Sequence, residues 1–193
     1  SIRAIKFAQV VALILDSYNL IQKQDLTIAR RVINEGRVLI IVVNKWDLVK
    51  EQNKTLKKLN DRLQTSFPQA RGIPIITLSA KNGRGTNRLL PAVMRLYDLW
   101  NKRISTGALN RWLEGVIVHH PPPLTSGQRI KLRYITQAKT RPPTFVIFAS
   151  RPDKIPDSYT RYLINTLRED FVLPGVPLRL HAKKNDNPYV KKK

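Results

Sequence analysis

The chain reads as an α/β protein, a parallel sheet with helices on both faces, followed by a small α+β unit. Three observations predict this. Residues 10–15, 38–43 and 75–78 are short, unalternating, mostly β-branched apolar runs, as expected of strands buried on both faces of a parallel sheet. Segments of helical period separate them, so strand, helix and strand follow one another as in a βαβ unit. In the second half the pattern changes to two alternating runs, 130–135 and 144–149, which flank Arg141-Pro142-Pro143 and predict an antiparallel pair with one wet face.

Taken in order, residues 1–8 place Ile2, Ile5 and Ala8 at helical spacing with no capping residue before them, which predicts the tail of a helix that begins upstream. The first buried run ends in the carboxylate of Asp16. Residues 24–35 then carry Leu26, Ile28, Ala29, Val32 and Ile33 at helical spacing and stop at Gly36, a natural C′ residue. A charged helix is expected after Asp47, with Leu56, Leu59 and Leu63 on one stripe and Lys54, Lys57, Lys58 and Arg62 outside it. After the third run, Asn82-Gly83-Arg84-Gly85 forms a turn and Thr86 offers an N-cap for a long helix whose core side carries Leu89, Leu90, Val93, Met94, Leu96, Tyr97, Trp100 and Ile104. Thr106-Gly107 breaks that helix, and Ser105 or Thr106 can cap the next, which His119-His120-Pro121-Pro122-Pro123 ends. Asp157 or Ser158 can cap a helix with Tyr162, Leu163, Leu167 and Phe171, and residues 178–182 form a last alternating strand. The second unit is thus α-β-β-α-β. The expected division is 1–105, 106–185 and a basic tail at 186–193, with Lys183-Lys184 and Lys191-Lys192-Lys193 solvated.

Composition narrows the partners. The net charge is +22, and residues 1–105 carry 19 Lys and Arg against 7 Asp and Glu while residues 106–193 carry 16 against 6, so both halves are basic. Such a field favours a polyanion, although a generally basic proteome gives the same balance. Cysteine is absent, which rules out disulfides and thiolate metal sites and fits a reducing compartment; a cytoplasmic monomer is expected. No apolar run is long enough for a membrane span and no secretory segment opens the chain. The adjacent His119 and His120 point about 100° apart on a helix, with no further ligand at metal spacing, and read as polar helix-end residues.

The chemistry concentrates at Asn44-Lys45-Trp46-Asp47, which closes the second buried run. In open α/β sheets ligands sit beyond the carboxyl ends of the strands. An ionised Asp has two acceptor oxygens and no donor, so it can take the ring N–H and exocyclic amine of guanine together, a donor pair that adenine lacks. The tetrapeptide alone is equally compatible with a polar turn. It is followed, after an intervening helix and a third buried run, by Ser79-Ala80-Lys81, and N-K-x-D then S-A-K in this order resembles the two base-reading loops of P-loop GTPases. Neither a G-x-x-x-x-G-K-[ST] phosphate loop nor a D-x-x-G occurs, so no catalytic residue and no metal ligand is assigned within the chain.

The wider sequence, with N-K-W-D-L-V, S-A-K-x-G, R-W-L-E, H-H-P-P-P, R-I-K-L-R-Y-I-T-Q, R-P-P-T-F-V-I-F, P-G-V-P-L-R-L and K-K-N-x-N-P-Y, resembles the Der (EngA) tandem GTPases. The resemblance covers essentially the whole chain and implies the back half of a second GTPase domain, a partial P-loop-GTPase-type sheet, followed by a KH-like domain. It implies GTP and GDP as ligands, with guanine held by Asn44, Lys45 and Asp47 and supported by Ser79, Ala80 and Lys81. It places the phosphate loop, the Mg2+ ligands and the switch loops upstream of Ser1. It implies GTP hydrolysis by the intact protein, a role in large ribosomal subunit assembly, and contacts of the last domain with ribosomal RNA or with the protein's own first GTPase domain. The G-x-x-G clamp of ordinary KH modules is missing. An alternative of another class is a nucleotide-insensitive adaptor for RNA or protein in which the GTPase half is scaffold.

Overall fold

A computed structural model describes residues 2–125 and 127–184. The three apolar runs form one parallel sheet in the order β1 (Val10–Asp16), β2 (Val38–Asn44), β3 (Ile75–Thr77), with Asp16 beside Asn44 and Val43 beside Thr77. The central strand is buried from Val38 to Val43, and its alternation assigns each residue to one of two cores. Leu39, Ile41 and Val43 meet Ala29, Val32 and Ile33 of α2 (Lys23–Asn34) and Leu59 and Leu63 of α3 (Gln52–Ser66). Val38, Ile40 and Val42 face Leu96 and Trp100 of α4 (Leu89–Asn101). Helices therefore cover both faces, as the unalternating run predicts. A short helix, α1 (Ile2–Phe7), precedes the sheet.

The core behind α4 continues into the second half. There α5 (Thr106–His119) contributes Leu109, Leu113 and Val116, and α6 (Asp157–Asp170) contributes Tyr159, Leu163 and Leu167. They pack on one face of a sheet ordered β6 (Leu132–Thr140), β7 (Pro143–Ala149), β8 (Arg179–Lys184), antiparallel between β6 and β7 and parallel between β7 and β8. A two-residue hairpin, β4 (Leu124–Thr125) with β5 (Gln128–Arg129), precedes this sheet and adds to the expected α-β-β-α-β order.

Five local expectations change. Leu90 and Met94 are exposed on α4 rather than part of its core side, which is held by Leu96 and Trp100. Gly85, at φ +80°, stands at the turn offered to Thr86, whose hydroxyl instead donates to the Gly83 carbonyl at 2.7 Å. Ser105 caps α5 by accepting from Ala108 N–H at 3.3 Å, so Thr106 and Gly107 open that helix rather than separate two. Asp157 and Ser158 lie inside α6, behind Pro156, whose fixed φ suits the entry. Lys183 and Lys184 belong to β8, paired with Phe148 and Ala149, because main-chain pairing at a sheet edge does not depend on side-chain charge. The basic tail 186–193, including Lys191, Lys192 and Lys193, lies outside the described residues.

Two tryptophans are placed by their N–H groups. Trp100 is buried and donates to the Gly36 carbonyl at 2.9 Å, while half-buried Trp112 donates to the Asp170 carboxylate at 2.9 Å. His120 lies against the rings of Tyr159 and Tyr162, and His119 is exposed, which fits helix-end residues. Among the described residues no helix is long and apolar enough to cross a membrane.

Candidate functional site

Because β1 and β2 end level with each other, Asp16 and Asn44 present their side chains side by side at the carboxyl edge of the sheet. The next residue, Lys45, takes the left-handed conformation at φ 59°, ψ 34°, which turns the chain sharply out of the strand. Three contacts hold that turn. Lys45 N–H donates to the Asn44 side-chain oxygen at 2.8 Å, the Ser17 hydroxyl donates to the Lys45 carbonyl at 3.0 Å, and Lys45 Nζ pairs with the Asp16 carboxylate at 2.6 Å. The ion pair is exposed. It raises the Lys45 pKa and, together with the Tyr18 N–H, lowers that of Asp16.

Asn44 is the tie between loops. The oxygen that accepts Lys45 N–H also accepts Ala80 N–H at 2.9 Å, and Trp46 N–H reaches across to the Leu78 carbonyl at 3.1 Å. The Ser79 hydroxyl, on a residue only 2% exposed, hydrogen-bonds to the Asp47 carboxylate; this is the leading reason that the Asp47 pKa lies below its ordinary value, and Lys81 and Arg84 act in the same direction. Asp47 itself is exposed, so its carboxylate is ionised and open to a ligand. Beside it lies a cleft of about 300 Å³ whose walls include Trp46, Leu78, Ser79 and Arg84. Trp46 is half-buried and packs with the core on the α2–α3 side, beside the loop that carries Asp47.

All six residues singled out from the sequence thus converge, though by distinct roles. Asp47 offers two acceptor oxygens, Lys45 an exposed cationic chain, and Lys81 a second nearby cation. Ser79 orients Asp47, and Asn44 and Ala80 bind the two loops to each other. Asp16 and Ser17 complete the constellation without having been assigned to it. The available signal was that Asp16 ends a buried run just as Asn44 does, but only strand register brings it to Lys45. A carboxylate acceptor pair flanked by two lysines can accept two adjacent N–H donors of a ligand and attract an anionic group on it. No group of three or more His, Asp or Glu that could hold a metal ion occurs among the described residues.

Comparison with known proteins agrees with both halves. The elongation factor Tu GTP-binding domain family matches residues 1–98, and the KH-domain-like family of EngA bacterial GTPase enzymes, C-terminal, matches residues 103–183. GTPase Der of Ruegeria sp. (strain TM1040) is 53% identical over 194 residues, covering 100% of this chain and 39% of that protein. GTPase Der of Mesorhizobium japonicum is 50% identical over 188 residues, covering 97% of this chain and 39% of that protein. The chain therefore spans about two fifths of the length of these curated relatives. Among solved structures, Era of Aquifex aeolicus bound to GDP·AlF4− aligns with TM-score 0.43 at 15% identity, covering 96% of this chain and 69% of that one. A GTP-binding-domain match over the first half, an EngA-type KH-like match over the second and 50–53% identity to GTPases named Der together show that the chain belongs to the GTPase Der family.

Proposed function

We propose that this chain supplies the guanine-reading part of a GTP- and GDP-binding site. The observation that supports it best is the convergence of Asn44, Lys45, Asp47, Ser79, Ala80 and Lys81 at the carboxyl ends of adjoining parallel strands. Asp47 accepts the ring N–H and exocyclic amine of the base, the Lys45 stem lies along the purine face, and Ser79 to Lys81 close the site around its carbonyl edge. Mg2+ and the phosphate-binding and hydrolytic groups belong to the upstream part of the intact protein. There hydrolysis rests on positioning and electrostatic stabilisation rather than on residues of this chain. Membership of the Der family supports GTP hydrolysis by the intact protein. The sequence resemblance further supports a cytoplasmic, monomeric factor in large ribosomal subunit assembly, with its KH-like part, beginning near Thr106, contacting ribosomal RNA or the protein's own first GTPase domain.

The test is a titration of the intact protein with the first GTPase site inactivated by mutation. GTP and GDP should bind and ATP should not. Equal affinity for guanine and adenine nucleotides, or none for either, would favour the nucleotide-insensitive adaptor.

A further inference from the structure

The β6–β7–β8 sheet has one face packed on the core, while the other is exposed at Tyr134 and closed at Val146 and Thr144, which are buried. Leu132, Ile135, Phe145 and Ile147 point into the core with α5 and α6, so alternation turns Tyr134, Phe148 and Val146 to the other side. Tyr134 and Phe148 are register partners, and their rings stack at 4.2 Å between centroids, 11° from parallel. Tyr134 remains 38% exposed. An aromatic pair on this exposed part of the sheet does nothing for the core, since neither ring belongs to it.

Two bulges add charge to this face. The register between β6 and β7 slips between Leu132 and Tyr134 and again between Gln137 and Lys139, so each time two residues of β6 oppose one of β7. At the first slip Arg133 and Tyr134 are both exposed, and at the second Ala138 and Lys139 are, between buried Leu132, Ile135 and Gln137. Counted back from Ile135, plain alternation would have turned Arg133 toward the core in place of Leu132. From the third strand, Lys183 aligns with Phe148 and His181 with Val146. The three strands hold no Asp or Glu, and the ion pairs among the described residues lie elsewhere, at Lys45–Asp16 and Lys54–Glu51. Arg179 is occupied, donating to the Asn34 carbonyl at 3.0 Å, which leaves Arg133, Lys139 and Lys183 as the cations of this face.

We infer that the exposed part of this face is a stacking platform for unpaired bases of single-stranded RNA, with the Tyr134–Phe148 stack receiving a base and Arg133, Lys139 and Lys183 contacting the flanking phosphates. The inference rests on the RNA association proposed above and names its surface and mode. Exposed aromatic faces flanked by cations suit bases freed from a duplex, whose π-faces need no sequence-specific partner. A duplex offers phosphates but no free base face, and so would leave the aromatic pair unused. The missing G-x-x-G loop is consistent with RNA being held on a surface other than the usual KH clamp.

The experiment uses the intact protein, a labelled unstructured oligoribonucleotide and the same strand in a duplex. Affinity is measured across a salt series for wild type, Tyr134→Phe, Tyr134→Leu and Lys183→Ser, with a thermal melt for each. Tyr134→Leu should weaken single-strand binding about tenfold with the salt slope unchanged, and Tyr134→Phe should retain it. Lys183→Ser should lower the slope by about one. Undiminished single-strand binding by a folded Tyr134→Leu protein overturns the inference and leaves RNA association intact, placing the RNA elsewhere. Absence of RNA binding by wild type even at low salt overturns both. If Tyr134→Leu leaves RNA binding unchanged but loosens another part of the intact protein, seen as new proteolytic cleavage, the face is a protein-docking surface and the inference falls.

Discussion

In the proposed site Asp47 is the base-reading group, a single charge that its neighbours tune. With the Ser79 hydroxyl bonded to it, its folded-state pKa lies below the ordinary aspartate value. The sign follows: a carboxylate with a lowered folded pKa is ionised, and contributes fully, above its ordinary value, and is lost only as pH falls through the lowered one. Guanine binding through this group should thus be flat from neutrality down to the ordinary Asp range. Ser79→Ala removes the largest cause of the shift, so the Asp47 titration followed by carbon NMR should move up toward the ordinary value; an unmoved midpoint would mean that the Asp47 backbone N–H with Lys81 and Arg84 holds the carboxylate without Ser79. Asp47→Asn exchanges one acceptor oxygen for a donor, which repels the guanine amine and suits the carbonyl of xanthine. In nucleotide titrations of the intact protein this should cost about a hundredfold in GDP affinity and favour xanthosine diphosphate. Retained guanine preference would remove Asp47 from the reading role.

Among the elements, α2 shows how a local signal becomes a tertiary one. Gly36 ends that helix with φ +73°, donating to the Ile33 carbonyl at 2.9 Å, while its own carbonyl accepts the Trp100 N–H. A Cβ at Gly36 would stand 2.6 Å from Pro142 Cγ, in the turn between β6 and β7. Gly36→Ala therefore meets a left-handed backbone and a proline ring at once, and a loss of about 2 kcal/mol or more is expected in chemical denaturation. A change below about 0.5 kcal/mol would show that the turn yields freely. The helix stop itself was legible, because Gly after a periodic segment is a strong local signal, and so were the three parallel strands, whose unbroken β-branched runs need burial on both faces. The convergence of Asn44, Asp47 and Ser79 was legible from order and spacing. The Asp16–Lys45 pair was not, since it depends on which residues of β1 and β2 end level. Nor were the bulges at Arg133 and Lys139, which interrupt an alternation that looks regular in one dimension. Lys183 and Lys184 read as a solvated run because charge marks the side chain, whereas the strand is made by the backbone.

Across the whole molecule, the two halves are joined by groups that sequence patterning cannot reveal, because their partners are backbone N–H and carbonyl groups. Gln137, only 3% exposed, accepts from Ile104 N–H at 2.7 Å and donates to the Lys102 carbonyl at 3.0 Å, fixing the chain where α4 gives way to α5. Gly175 N–H donates to the Arg71 carbonyl at 2.7 Å, at a crossing so close that a Cβ on Gly175 would lie 2.9 Å from the Gly72 oxygen. Arg168 completes the junction. It is 4% exposed and donates to the Leu173 carbonyl at 3.0 Å, to Val176 at 2.6 Å and, across the junction, to Gln69 at 2.6 Å. Burial lowers its pKa to about 10, so it stays charged at neutral pH; between that value and the ordinary guanidinium range the unfolded chain binds the proton more tightly, and stability from this group rises with pH only there. The contact is accordingly constant across the neutral range. A lysine ammonium is compact and cannot span three carbonyls with the planar fork of a guanidinium. Arg168→Lys should leave at least one buried carbonyl unpaired, at about 1–3 kcal/mol. In hydrogen exchange on the intact protein, the Gly175 amide and its neighbours and the amides of residues 69–73 should then exchange faster together, by about ten- to a hundredfold. Faster exchange confined to residues 171–178 would mean that the Gln69 contact does not hold the halves together, and that the GTPase-type half and the KH-like half are joined through the Gln137 and Arg179 contacts instead.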